Sequence, residues 1–204
     1  DRDGFNRPYT LMTPLLDVVA THSWPRSDDF AYLCTVEKLA DMWTYNNGFT
    51  RFAHGFYLWK AKALGHWQWV YSWEVANAHV PVFFARDTSA AYAFPGGFLD
   101  TLKYEHVAEG IDDHRYLELL ESMLKDAPKD DAFAKDARAF LKVLEEFLPQ
   151  YPHDTGQVTG AEAGGVYDES KETGYFEPWR RQIAEYIAAI KEKRAPKKVD
   201  AAWA

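Results

Sequence analysis

The chain has 204 residues, a formal net charge of −8 and one cysteine, and 16% of its residues are Phe, Trp or Tyr. That length supports one good-sized domain with a real core. The acidic balance argues against wrapping a phosphate backbone, which needs a basic stripe; a lone thiol, Cys34, rules out an internal disulfide and a CxxC zinc pattern; and no apolar run approaches the roughly 20 residues of a membrane helix.

From the N-terminus, "PLLDVVATHSW" (14–24) is predicted to be a buried strand: short, β-branched in its middle, and followed by turn chemistry at "PRSDD". "DDFAYLCTVEKLA" (28–40) is predicted to be a helix capped by Ser27 or Asp28. "DMWTYNN" (41–47) is the second predicted strand. "FTRFAHGFYLWKAKALG" (49–65) is the second predicted helix, with Phe52, Phe56 and Trp59 on one face and Gly65 as its stop. "HWQWVYSW" (66–73) is a third strand with strict alternation: Trp67, Trp69, Tyr71 and Trp73 share one face, and His66, Gln68, Val70 and Ser72 the other. Strand, helix, strand, helix, strand at this spacing implies parallel strands with crossover helices. An open doubly wound sheet and a closed barrel both satisfy the pattern. The absence of a glycine-rich phosphate loop from the turns favours the barrel.

The second half is predicted to be helical, over 98–124, 129–148 and 176–194, with a Gly-rich polar loop at 149–175. The basic run "KEKRAPKK" (191–198) reads as a solvated tail rather than a nucleic-acid arm. In "KYEHVAEGIDDHRYLELLESML" (103–124), Val107, Ile111 and Leu117 or Leu120 form the expected core stripe. Glu105, Glu109, Asp112 and Asp113 fall off it. Like charges three or four residues apart repel by a few tenths of a kcal/mol per exposed pair, so the cluster predicts an outside cation such as Arg51 or Arg86. Gly110 costs about 1 kcal/mol against Ala in a helix interior, which points to close approach by another element. Glu109 with Asp112 or Asp113 is a candidate acid pair for general acid/base work. The alternative is that these acids anchor Arg or Lys and the helix is scaffold; nothing upstream supplies a reaction partner, which favours scaffold. The histidines at 22, 54, 66, 79, 106, 114 and 153 show no HxH or HExxH spacing, so neither a metal nor a cofactor is implied.

"AEGIDDHRYLELLE" (108–121) resembles a signature near the C-terminal end of glycoside hydrolase family 123 catalytic domains and their uncharacterised relatives. Glu109, Gly110, Ile111, Asp112, Asp113, Tyr116 and Leu117 carry the match; Ala108 stands where the family pattern has Arg, and His114 and Arg115 replace Tyr-Glu. Other pieces follow in order: the Trp-x-Tyr strand in "DMWTYNN", then Arg51, Trp59, Gly65 and Trp69 in the helix–strand pair, the turn in "AYAFPGG" (91–97), and the closing helix in "EPWRRQIAEYIAAI" (177–190).

The resemblance implies a (β/α)8 barrel, a fold that takes about 250 residues when complete. Here it implies an α/β fold holding the C-terminal portion of such a barrel. Residues 1–97 would be a partial barrel segment of about three parallel strands with their helices. The signature helix and the next helix would occupy 98–148, the loop 149–175, the last helix 176–194 and a tail 195–204. The first residue is Asp1 rather than Met, and the expectation is a piece of a longer protein whose N-terminal barrel part is a partner of these residues.

The family's substrate-assisted cleavage of hexosaminides uses an Asp-Glu pair on a mid-barrel strand. That strand has no counterpart here, so no catalytic residue is assigned. What the resemblance implies is pocket wall at the strand ends: Trp69 as the floor of a sugar subsite, Tyr71, Tyr45 and Asn46 as contacts to hydroxyls, His22 as a hydrogen bonder and Glu74 as a strand-end acid. The structural alternatives are a core stripe for Trp69, a satisfied core histidine for His22 and a solvated loop acid for Glu74. The expected ligand is a hexosamine-containing glycan, with no nucleic acid and no membrane. A secreted or periplasmic location is compatible with the resemblance, and the compartment stays open. A non-catalytic carbohydrate-binding remnant and a partner-docking helical domain are the alternatives.

Overall fold

The computed structural model describes residues 13–22, 40–45, 49–67, 91–94, 96–148 and 172–199. A 3-10 turn at Thr13–Leu15 leads into β1 (Val18–His22). β1, β2 (Asp41–Tyr45) and β3 (Gly65–Trp67) form a parallel sheet in that order. Val18 lies opposite Asp41 and His22 opposite Tyr45. Trp43 lies opposite Gly65 and Tyr45 opposite Trp67. This is the βαβ order expected from the sequence, and the chain is a mixed α/β protein, largely helical.

Between β2 and β3 runs a broken helix. Thr50 caps it, its hydroxyl accepting from the Ala53 N–H at 3.0 Å. α1 (Arg51–His54) stops at Gly55 and α2 (Phe56–Ala61) continues beyond it. Lys62, in the left-handed region at φ 54°, ends α2, its N–H donating to the Leu58 and Trp59 carbonyls. Gly65 therefore opens β3 instead of stopping the helix. Every residue from Arg51 to Trp59 is buried, as a helix becomes when covered on all sides. On one side Leu58 and Ala61 pack with Val19 and Met42 of the sheet. On the other, Phe52, Phe56, Tyr57 and Trp59 join a core supplied by three long helices.

Those helices are α3 (Leu102–Asp126), α4 (Ala132–Phe147) and α5 (Glu172–Glu192). Thr101 and Asp131 cap the first two through side-chain bonds to the Tyr104 N–H and to the Phe133 and Ala134 N–H groups. Leu117 and Leu120 from α3, Leu144 from α4 and Ile183 from α5 are fully buried. The order through the protein is thus sheet, broken helix, helical layer.

Several expectations need correction. Phe98 is not helical: β4 (Ala91–Phe94) and β5 (Gly97–Asp100) form an antiparallel hairpin in which Phe98 faces Ala93. Gly96, at φ 101°, makes its turn, and the Thr101 cap delays α3 to Leu102. The buried line of α3 is Gly110, Asp113, Leu117, Leu120 and Leu124; Ile111 is 40% exposed and Val107 half-buried. α5 begins at Glu172, inside the expected loop, and residues 149–171 lie outside the described ones. The predicted helix at 28–40 lies outside them too, apart from Ala40, as does the end of the third strand beyond Trp67. The basic run is solvated as expected, with Lys191, Lys193, Lys197 and Lys198 exposed, but it is also tied down, because Lys197 and Val199 hydrogen-bond back to α5.

Candidate functional site

The strand ends converge on an aromatic surface. In-register parallel pairing places Trp43, Tyr45 and Trp67 on one face of the sheet and Met42, Thr44 and His66 on the other. The second face is covered: Met42 and Thr44 are buried against the broken helix. No described element covers the first: Val18 and Ala20 are exposed, Trp43 and Tyr45 half-buried, and Trp67 is 60% exposed. The Trp43 and Trp67 rings lie 6.1 Å apart, tilted by 55°. Gly65 sets that arrangement. A Cβ on it would stand 2.8 Å from two ring carbons of Trp43, so the indole rests on bare backbone. The pair offers two apolar faces at an angle, chemistry that suits a ring-shaped ligand with an apolar side.

Of the predicted contact residues, the register aligns His22 and Tyr45 at one level, with Trp67 beside Tyr45. Asn46, Trp69, Tyr71 and Glu74 lie outside the described residues. Trp43 was missed. Its signal was the shared parity with Tyr45 on β2, while its seat over Gly65 depends on strand pairing.

Beneath the sheet lies a buried polar chain. The Thr44 hydroxyl and His66 Nδ1 are 2.7 Å apart. The His66 ring meets the His54 ring edge-on at 4.5 Å, and His54 Nδ1 lies 3.1 Å from the Thr50 carbonyl. Burial, then the neighbouring His66, pull the His54 pKa down to about 4, against the Thr50 hydrogen bond. His54 is therefore neutral through the physiological range.

The acidic stretch resolves as scaffold. Asp113 has no exposed surface. It takes a fork from Arg51, with Nε donating at 2.6 Å and Nη2 at 2.9 Å, and a third bond from Arg180 Nε at 2.5 Å. Arg180 also donates to the Glu109 carbonyl at 2.6 Å and pairs with the Glu109 carboxylate. One carboxylate thus ties α1, α3 and α5 together. The predicted Arg51 partner is present; Arg180 was not anticipated, because nothing in the sequence brings residue 180 to residue 113. Burial pushes the Asp113 carboxyl up, against the pull of Arg51 and Arg180. Burial also opposes the Arg180 charge, yet bonds to Asp113 and Glu109 hold it above the ordinary arginine range. Asp113 is buried with both oxygens engaged by arginines, and among the described residues Asp112 pairs with exposed Arg115. Gly110 does admit a neighbour: a Cβ there would lie 2.5 Å from the Arg51 carbonyl.

Among the described residues no group of three or more His, Cys, Asp or Glu could hold a metal ion, and no helix is long and apolar enough to cross a membrane. No family model, curated protein or solved structure matches the chain.

Proposed function

We propose that the aromatic sheet face is one wall of a carbohydrate-binding pocket, and that the chain is the closing arc of a (β/α)8 barrel of the glycoside hydrolase kind. The observation that carries this reading is the asymmetry of the sheet. Parallel sheets are covered on both faces or closed into barrels. Here helices cover one face, while the other presents Trp43, Tyr45 and Trp67 beside the C-terminal ends of three strands running the same way, where barrel sites lie. The resemblance of the Asp41–Asn47 and Ala108–Glu121 stretches to glycoside hydrolase family 123 supports a hexosamine-containing glycan as the ligand. The role of these residues is binding. Neither Asp112 nor Asp113 belongs to the pocket, and the reacting acids belong to another part of the barrel.

The test is a titration of intrinsic tryptophan fluorescence with soluble N-acetylhexosamine oligosaccharides, with sugar release measured in parallel. Saturable quenching that Trp67→Ala weakens about fivefold is expected, since aromatic stacking beyond area burial contributes about 1 kcal/mol. Binding without release assigns a binding wall. No quenching at millimolar glycan, or full affinity in Trp67→Ala, overturns the reading.

A further inference from the structure

We propose that the groove between α4 and α5, walled by the returning C-terminal stretch, is a docking site for an acidic peptide segment bearing an apolar side chain. The run at 191–198 is the one concentrated basic feature of a chain whose net charge is −8, and the fold holds it in place. Gln182, 6% exposed, uses both ends of its amide. Its Nε2 donates to the Lys197 carbonyl at 3.2 Å, and its Oε1 accepts from the Val199 N–H at 2.9 Å. Glu185 accepts from the Lys197 N–H at 2.7 Å. Two bonds to residues two apart are the pattern a strand makes with its neighbour, here supplied by one side chain.

The result is a groove of about 480 Å³, with Phe140, Val143 and Tyr186 among its lining residues and Lys197 and Lys198 on the side of the returning stretch. Val143 is 51% exposed. Arg194 is already neutralised by Glu185 and Glu192. Lys198 has no carboxylate partner among the described residues, and its backbone N–H and carbonyl, between the two atoms that Gln182 holds, enter no hydrogen bond there. An incoming extended segment can pair with that backbone, place an aliphatic or aromatic side chain against Val143 and Phe140, and set its carboxylates beside the lysines. Asp136, also at the groove, repels acids from the opposite side and so fixes where they sit.

Panning a displayed library of random eight-residue peptides against the whole chain tests this. The expected winners carry two or more Asp or Glu flanking Leu, Ile, Phe or Trp. The synthetic winner should lose at least tenfold in affinity against Val143→Glu and against the double variant Lys197→Glu/Lys198→Glu, and should weaken as salt rises. Gln182→Ala, which releases the stretch, should weaken it equally while circular dichroism shows the helices intact. Winners without acids, no enrichment, or unchanged affinity in the double charge reversal overturn the proposal. It also falls if the wild type self-associates through Val143 and the selected peptide does not compete, because the occupant is then a second copy of the chain.

Discussion

Gly110→Ala separates the local argument from the tertiary one by sign. In an isolated helix the change gains about 1 kcal/mol. In this fold the new Cβ would stand 2.5 Å from the Arg51 carbonyl, 2.9 Å from the His54 Cβ and 3.2 Å from the Arg51 carbonyl carbon. Nonbonded heavy atoms settle roughly 1 Å further apart than the first of these, and that neighbour is backbone, so α1 and α3 must separate. Overpacking of this kind costs about 1–3 kcal/mol. The same movement stretches the Arg51–Asp113 fork, now 2.6 and 2.9 Å, towards the limit of hydrogen bonding. The expected net effect is a destabilisation of about 2–3 kcal/mol after the propensity gain is subtracted. Urea unfolding followed by far-ultraviolet circular dichroism reads it as a midpoint lower by about 1 M. Gly55→Ala meets the same crossing from the other side, 2.8 Å from the Gly110 carbonyl, so one separation relieves both and the double variant should cost less than the sum. A Gly110→Ala protein as stable as wild type would refute the close crossing.

Two further outcomes are expected. Asp113→Asn removes the charge shared by Arg51 and Arg180 and should cost about 3 kcal/mol, because buried Arg51 loses its close charged partner and keeps Glu177 at 3.6 Å, while Arg180 keeps the Glu109 carboxylate; Asp112→Asn, whose partner Arg115 is exposed, should change stability by less than about 0.5 kcal/mol. Equal effects of the two in urea unfolding would contradict the buried tie. For His54 the folded pKa of about 4 lies below the ordinary 6.5, so as pH falls the unfolded chain takes the proton first; stability is full above about 6.5 and declines by about 3 kcal/mol between 6.5 and 4. Midpoints measured across that window should flatten in His54→Gln, and an unchanged slope would place the titration elsewhere.

The parallel strand order, the helical second half and the need for a cation beside the acidic stretch were legible in the residues, because each rests on local rules: alternation, helical periodicity and repulsion between neighbouring charges. Gly110 was likewise readable as a place of close approach, though not what approaches. Tertiary structure decided the rest. It buried Asp113 at a position that periodicity had placed off the core stripe, because Arg51 and Arg180 converge there from segments 62 and 67 residues away. It turned Gly65 from a helix stop into the seat of Trp43, because strand pairing lays one residue's ring over another's backbone. It also held the basic run against α5, because a single buried glutamine reaches two backbone groups that sequence spacing does not associate with it.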